Sequence, residues 1–239
     1  MKMLKIVNQL INLLPGAGGE RWIIDGGCNV GQFASHAIKE FPASNILSFE
    51  PDPDSWASAQ KNIGFHNRIE IVEAALGAEI GRAEFFRGPS SLTNSLLPRP
   101  ESDLKPYYPQ QAVLNGGYFV DVVTIDGECG KRGIKEIDLL KLDLQGGELA
   151  ALGGAETLLE SDSVKVIIVE GVFVRKYHNQ PLLWEIWEKL EGYGYTLYSL
   201  EDIMVGLYHS EEISMRHQQW NQCDAIFISS SLRGILDEQ

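Results

Sequence analysis

The sequence predicts an α/β fold of the Rossmann-like kind, with a seven-stranded, mostly parallel sheet and helices on both faces. Short apolar runs alternate with segments of helical periodicity between residues 22 and 170, which is the pattern of repeated βα units. Glycines follow the first predicted strand and a glutamate closes the second, at the sheet edge where such folds bind ligands. With 44% hydrophobic and 22% charged residues among 239, the chain can bury one sizeable core, so we expect no second full domain.

The N-terminal segment, residues 1–20, is predicted to be an amphipathic helix and a linker that precede one domain at residues 21–239. Asparagines and a glutamine interrupt its apolar stretch from Met3 to Leu14, and no small-residue cleavage pattern follows. No run approaches the roughly 18 apolar residues of a membrane span. We therefore expect a cytoplasmic protein without a membrane span. The three cysteines lack metal-type spacing, which favours reduced structural thiols.

Seven apolar runs, each bounded by turn residues or a helical pattern, predict the strands. They are residues 22–24, 46–49, 69–72, 139–143, 164–169, 195–200 and 223–228.

Three of the helices are predicted from apolar residues at helical spacing. The first carries its stripe from Val30 to Phe41 and follows the first strand. The second begins after Asp52 or Asp54, either of which can cap it. The third follows the fifth strand, with Pro181 in its first turn and Gly192 as its stop.

The segment from about residue 86 to residue 117 interrupts this alternation of predicted strands and helices. It contains several prolines, a polar run that includes Ser91, Thr93 and Asn94, and the pair Tyr107 and Tyr108. A connection this long inside a compact domain predicts a lid or a mobile insertion. Its hydroxyl groups and aromatic faces suit a polyol acceptor.

The glycine turn after the first strand is the strongest feature of the sequence. It reads DGGCNVG from Asp25 to Gly31, which is D-x-G-x-x-x-G. A dinucleotide site requires G-x-G-x-x-G, but counted from Gly27 the second of those glycines is Asn29. An acid before the glycines can instead hold the ammonium of a methionine moiety, directly or through water. The predicted cofactor residues of this turn are Asp25, Gly26, Gly27, Cys28, Asn29 and Gly31.

A second acid, Glu50, ends the second strand in the sequence FEPDP. A carboxylate at this place can accept hydrogen bonds from both hydroxyls of a ribose. Because ribose binding alone does not distinguish cofactors, the missing phosphate-binding glycine pattern is what disfavours nicotinamide chemistry. We expect an adenine ring near Pro51, Asp52, Ala74 and Ala75, where small residues leave room for a flat ring.

With these motifs in place, the chain resembles the FkbM-type methyltransferases. The resemblance rests on residues 25–31, on FEP at 49–51, on IDLLKLDLQGGE at 137–148 and on Val169-Glu170, and it extends from about residue 22 to residue 228. It implies a class I methyltransferase fold and S-adenosylmethionine as the methyl donor. It also implies, in most relatives, a hydroxyl acceptor on a sugar, a lipid or a polyketide-like natural product.

One position departs from that family. Relatives typically have Asp-x-Glu-Gly after the fourth strand, whereas this chain has Gln145 in place of the glutamate. An amide can donate and accept hydrogen bonds but cannot ionise. The carboxylates of Asp143, Glu148 and Glu170 could converge on an oxygen-ligated Mg²⁺, but Gln145 disfavours a metal.

Three residues are candidates for catalysis. Transfer to a hydroxyl needs alignment of the reactants and removal of a proton. We expect Glu170, which ends the fifth strand, or His178, on the following loop, to activate the acceptor. Asp143, which ends the fourth strand, is expected to position the cofactor or the acceptor. Lys141 either faces the site or packs its stem against a helix.

The net charge of −13 disfavours a nucleic acid substrate, because the field of the protein repels phosphates. A small molecule, a sugar or a lipid with a hydroxyl group is therefore the expected acceptor. Two alternatives remain open. The first is a protein on this fold that binds a cofactor or partner without catalysis, an alternative that Gln145 supports. The second is an N- or C-methyltransferase. The acceptor's identity and the oligomeric state are not predicted.

Overall fold

A computed structural model describes residues 2–14, 20–88, 90–99, 117–208 and 217–238. The large sheet contains β1 (Arg21–Gly26), β2 (Ser44–Phe49), β3 (Ile69–Val72), β7 (Ile137–Leu142), β8 (Val164–Val172), β9 (Thr196–Tyr208) and β10 (His217–Ile228). Their order across the sheet is β3-β2-β1-β7-β8-β10-β9. All neighbours are parallel except β10, which is antiparallel to β8 and β9. The predicted seven-stranded class I sheet is confirmed, and Asp143 lies just beyond the strand predicted to contain it.

Helices cover both faces of this sheet, as predicted. One apolar core lies beneath α1 (Lys2–Leu13), α2 (Gln32–Glu40), α3 (Pro53–Ile63) and α8 (Ser230–Asp237). The other lies beneath α4 (Ile125–Arg132), α5 (Glu148–Gly153), α6 (Glu156–Glu160) and α7 (Leu183–Gly192). Both cores are built from the β-branched and leucine side chains that alternate along the buried strands.

The helix boundaries follow local capping chemistry. Asp52 caps α3, because its side chain accepts a hydrogen bond from the Ser55 backbone N–H. The prediction that Pro181 occupies the first turn of α7 is wrong: the helix begins at Leu183 with Leu182 as its N-cap, and Pro181 precedes both. Gly192 is the last residue of that helix, as predicted.

A second, three-stranded sheet was not predicted. It contains β4 (Ala75–Leu76), β5 (Gly81–Phe85) and β6 (Tyr118–Val123), in the order β4-β6-β5. The proposed lid segment leaves this sheet after β5, pairs Phe86 with Ser95 and forms a 3₁₀ turn at Ser91–Thr93. Tyr107 and Tyr108 lie outside the described residues. Within the described residues, no helix has the length and apolar character needed to cross a membrane.

Candidate cofactor and active site

The glycine turn between β1 and α2 is locked against the two neighbouring strands. Gly27 has φ +80°, and a Cβ there would lie 1.9 Å from the carbonyl oxygen of Asp143. The Gly27 and Cys28 backbone N–H groups donate to the Phe49 carbonyl oxygen at 3.2 and 2.9 Å. Asn29 also has positive φ, 49°, which asparagine tolerates better than most residues. The backbone of the turn therefore sits directly against the ends of β2 and β7.

Asp25, at the start of this turn, points into the protein interior and not into the cavity. Its side chain is fully buried, and Lys141 Nζ lies 3.2 Å from its Oδ1. Ser48 Oγ donates to its other oxygen at 3.4 Å. Burial raises the pKa of Asp25, and the Lys141 ammonium opposes that rise. Because the carboxylate is paired inside the protein, any effect of Asp25 on a cofactor would pass through Lys141 and the turn.

Glu50 at the end of β2 faces a cavity while both of its oxygens hold the backbone. Oε2 accepts from the Asn29 N–H at 2.7 Å and Oε1 accepts from the Asp52 N–H at 2.9 Å. Burial raises the pKa of Glu50 to about 7, and these two backbone hydrogen bonds oppose the rise. A carboxylate offers about four acceptor positions, so two remain for hydroxyl groups of a ligand.

A cavity lies at the carboxyl ends of β1, β2 and β7, the edge at which such sheets bind ligands. Seven predicted cofactor residues line it: Gly27, Asn29, Glu50, Pro51, Ala74, Ala75 and Asp143. Five others do not line it: Asp25, Gly26, Cys28, Gly31 and Asp52. Gly31 caps α2 with φ +88°. Burial raises the pKa of the Cys28 thiol, so this side chain is an unreactive part of the core.

Asp52 is engaged by the small sheet. Its Oδ1 accepts from Arg87 Nη2 and from the Tyr118 hydroxyl, both at 2.6 Å, and its Oδ2 accepts from Ser55. Burial raises the pKa of Asp52, but the hydrogen bonds from Tyr118, Arg87 and Ser55 outweigh burial and hold it below its ordinary value. The Asp52 carboxylate thus ties α3 to the small sheet and does not face the predicted adenine position.

Gln145 connects the candidate catalytic residues. Its Nε2 donates to Asp143 Oδ1 at 3.0 Å and to Glu170 Oε2 at 2.8 Å, and its Oε1 accepts from the Tyr177 hydroxyl at 3.0 Å. Its own backbone is left-handed, with φ 53°. The residue at the position where the family typically has glutamate therefore holds the two carboxylates together with a neutral amide.

Among the candidate bases, Glu170 has a pKa that its surroundings shift strongly. Its Oε1 accepts from Gln222 Nε2 at 2.7 Å. Burial raises its pKa well above the ordinary value, the carboxylate of Asp143 raises it further, and Lys176 opposes both. Burial in turn lowers the pKa of Lys176, whose ammonium donates to Gln222 Oε1. Burial also raises the pKa of Asp224 to about 6, and the carboxylate of Asp143 raises it further, so Glu170 and Asp224 both bind their protons more tightly than exposed carboxyls do.

His178 is apart from this group. It is exposed, and the hydrogen bond that the structure records for it is from its backbone N–H to the Pro98 carbonyl oxygen, 2.9 Å. The neighbouring Tyr177 is buried, and the single hydrogen of its hydroxyl is shared between Gln145 Oε1 and the Thr93 carbonyl oxygen, each at 3.0 Å, while Arg99 donates to the hydroxyl oxygen at 2.8 Å. The His178 loop thus fastens the segment at residues 90–99 over the site.

Glu148, considered above as a metal ligand, turns back into its own loop. Its carboxylate accepts from the backbone N–H of Leu144 at 2.7 Å and of Gly146 at 3.0 Å. Burial raises its pKa to about 7, and these backbone hydrogen bonds oppose the rise. Across the part of the chain that the structure describes, no three His, Cys, Asp or Glu side chains are arranged to hold a metal ion.

Several site residues were not predicted from the sequence. The apolar wall of the cavity includes Phe49, Leu76, Phe85, Leu92, Leu96 and Leu144. Lys176, Tyr177 and Gln222 surround Glu170, and no motif marks them. The one available signal was Lys141, which stands between two leucines in a predicted buried strand. A buried ammonium requires a buried acceptor, and Lys141 indeed pairs with Asp25.

Comparison with known proteins places this geometry in a family. The model of the methyltransferase FkbM domain matches residues 25–197. The 2-O-methyltransferase NoeI of Sinorhizobium fredii is 31% identical over 168 residues, 66% of each chain. The 31-O-demethyl-FK506 methyltransferase FkbM of Streptomyces tacrolimicus is 25% identical over 203 residues, 75% of this chain and 74% of its own.

Matches to the first curated relatives span about three fifths to two thirds of those proteins' lengths. A crystal structure of precorrin-6y C5,15-methyltransferase from Geobacter metallireducens has 12% identity and a TM-score of 0.48, covering 95% of this chain and 89% of its own. That likeness is too low to bear on function. The family match covers most of the chain, from the glycine turn into β9, and the chain belongs to the FkbM methyltransferase domain family.

Proposed function

We propose that the protein is an S-adenosylmethionine-dependent O-methyltransferase whose acceptor is a hydroxyl group on a small molecule, a sugar or a lipid. One observation carries the proposal: the glycine turn, Glu50 and Asp143 line a single cavity at the strand ends of an FkbM-family fold. The names of two relatives specify transfer to oxygen, which supports an oxygen acceptor over nitrogen or carbon.

The residues present fit this donor. Asn29 lines the cavity, and its Oδ1 is buried without a hydrogen-bond partner among the described residues, so an N–H or O–H of a ligand would satisfy it. Glu50 offers two further acceptor positions for ribose hydroxyls. Ala74 and Ala75 leave space beside Leu76 for adenine. When bound, the donor would supply a methyl group on a sulfonium.

The acceptor chemistry is assigned to Glu170. A hydroxyl group becomes a better nucleophile as a base takes its proton, and the base must sit within hydrogen-bond distance of that hydroxyl. Glu170 is held by Gln145 and Gln222 and lies next to Asp143 through the Gln145 amide. Since burial favours the protonated carboxyl, Glu170 has a strong affinity for the proton it would receive. Asp143 would position the reactants.

His178 is the weaker candidate, because its ring is exposed and its backbone serves the contact with residues 90–99. We assign the segment at residues 90–99 the role of a wall over the donor, since Ser91, Leu92, Asn94 and Leu96 line the cavity.

The test is turnover with a methyl-labelled donor and a panel of hydroxylated acceptors, including free sugars, glycolipids and polyketide-like alcohols. We expect label in an O-methyl product, with S-adenosylhomocysteine released in equal amount. Donor binding without turnover across the panel would favour a binding protein. A product methylated on nitrogen or carbon would refute the oxygen assignment.

A further inference from the structure

Lys141 is a buried cation at the centre of the site. Its side chain lies in β7, directly beside Asp25 in the sheet register, and the residue is 8% exposed. Its Nζ donates to the carbonyl oxygens of Gly27 at 2.9 Å and Gly26 at 3.1 Å and lies 3.2 Å from Asp25 Oδ1. An ammonium has three donor hydrogens: two go to these carbonyls, and the contact with Asp25 is an ion pair in which Oδ1 accepts no hydrogen bond from the described residues.

This arrangement fills the place next to Asp25 that a ligand ammonium would otherwise take. The carboxylate of Asp25 is fully buried, and its neighbours within hydrogen-bond range are Lys141 and Ser48. Because Asp25 is fully buried and does not line the cavity, a donor ammonium bound in the cavity would not contact it. Removing the buried lysine would leave an unpaired buried carboxylate, which is costly.

Asp143 is the open carboxylate beside this pair. Its side chain is 43% exposed, and its Oδ2 lies 4.0 Å from Lys141 Nζ. It lines the cavity, whereas Asp25 does not. Asp25, Lys141 and Asp143 together carry one net negative charge, so one further cation would neutralise the group. The surface that faces the cavity offers that negative charge at Asp143.

We propose that Lys141 is a positioning residue of the donor site: it binds the carbonyl oxygens of the glycine turn and neutralises the charge of Asp25. The ammonium of the donor's methionine moiety is thereby directed to Asp143. The proposal rests on the function proposed above and adds which carboxylate receives the ammonium. It replaces the expectation from the sequence that Asp25 holds the ammonium, directly or through water.

Calorimetric binding of two ligands tests this role. S-adenosylhomocysteine carries the amino acid end, and 5′-methylthioadenosine has the same adenosine and sulfur without the ammonium or carboxylate. We expect Lys141→Met and Asp143→Asn each to weaken S-adenosylhomocysteine at least about tenfold, the loss of one charge-assisted bond, and to change 5′-methylthioadenosine less than about threefold.

Lys165→Met is the matched control. Lys165 also lies on a strand of the large sheet, and its Nζ donates to the Asp162 carbonyl oxygen at 2.7 Å, outside the donor site. We expect this variant to bind both ligands as the unchanged protein does.

Chemical rescue covers the case in which Lys141→Met folds poorly. Lys141→Ala removes a propylammonium group, so added propylammonium should restore S-adenosylhomocysteine affinity, and 1-propanol should not. Unchanged S-adenosylhomocysteine affinity in folded Lys141→Met, equal loss of both ligands, or failure of the rescue in a folded Lys141→Ala would overturn the positioning role. Failure of the unchanged protein to bind either ligand would refute the proposed function itself.

Discussion

Glu50 should make donor binding depend on pH near neutrality. Its two oxygens accept backbone N–H groups from Asn29 and Asp52, and burial raises its pKa to about 7. Ribose hydroxyls bind the ionised carboxylate better, since it accepts and does not donate. Donor affinity is therefore lost as pH falls through about 7 and is fully present above it.

The size of the effect follows from this pKa. A group with a pKa of about 7 is ionised in roughly one molecule in ten at about pH 6 and nine in ten at about pH 8. The affinity for S-adenosylhomocysteine should then increase up to about tenfold over that interval, or about 1.4 kcal/mol. Isothermal titration calorimetry at three pH values measures it.

Two variants separate Glu50 from other titrating groups. Glu50→Gln should lose this pH dependence and weaken binding at every pH. Both oxygens of Glu50 accept a backbone N–H, and in the variant the amide NH₂ takes the place of one of them, so a donor faces a donor. Glu70→Gln is the matched control, since Glu70 lies on the neighbouring strand β3, exposed and paired with Arg132. A pH dependence that survives in Glu50→Gln, or an affinity that falls with rising pH, would refute the reasoning.

Three further variants test other parts of the site. Glu170→Gln should lower kcat at least about 100-fold while changing S-adenosylhomocysteine affinity less than about threefold. In the unchanged protein kcat/KM should increase as the pH is raised above neutral, because burial raises the pKa of this base. A variant that retains its kcat would exclude Glu170 as the base. Gly27→Ala should lower the unfolding free energy by about 2–4 kcal/mol, because its Cβ would meet the Asp143 carbonyl oxygen. Gly192→Ala is the control and should not lower it, because a Cβ at Gly192 meets open space. Equal melting temperatures of the two variants would contradict this. Tyr177→Phe should lower the unfolding free energy by about 1–3 kcal/mol through its lost hydrogen bonds and speed proteolysis at residues 90–99; an unchanged cleavage rate would argue against the fastening role.

The large sheet was predictable because its central strands, β1, β2, β7 and β8, are largely buried on both faces and read as apolar runs. The small sheet was not. β5 is exposed at three of its five residues, β4 has two residues, and pairing joins positions as distant as Arg82 and Asp121. Short strands whose stability depends on such non-local pairing leave no periodic signal in the sequence.

The predicted cofactor residues divide in the same way. The position of Glu50 in the cavity wall was predictable, because an acid that ends a strand of a parallel sheet lies at the ligand edge. The role of Asp25 was not, because it depends on the register that places Lys141 beside it. Similarly, capping is local, and Asp52 was one of the two caps predicted for α3, whereas its contacts with Arg87 and Tyr118 join the start of α3 to the small sheet and to the loop after β5.

A crystal structure with S-adenosylhomocysteine bound tests the central claim most directly. The account predicts both ribose hydroxyls within hydrogen-bond distance of Glu50, the adenine beside Ala74 and Ala75, and the amino group on Asp143 with Lys141 still on Asp25. A nucleoside bound elsewhere, or a ribose that does not touch Glu50, would contradict the account.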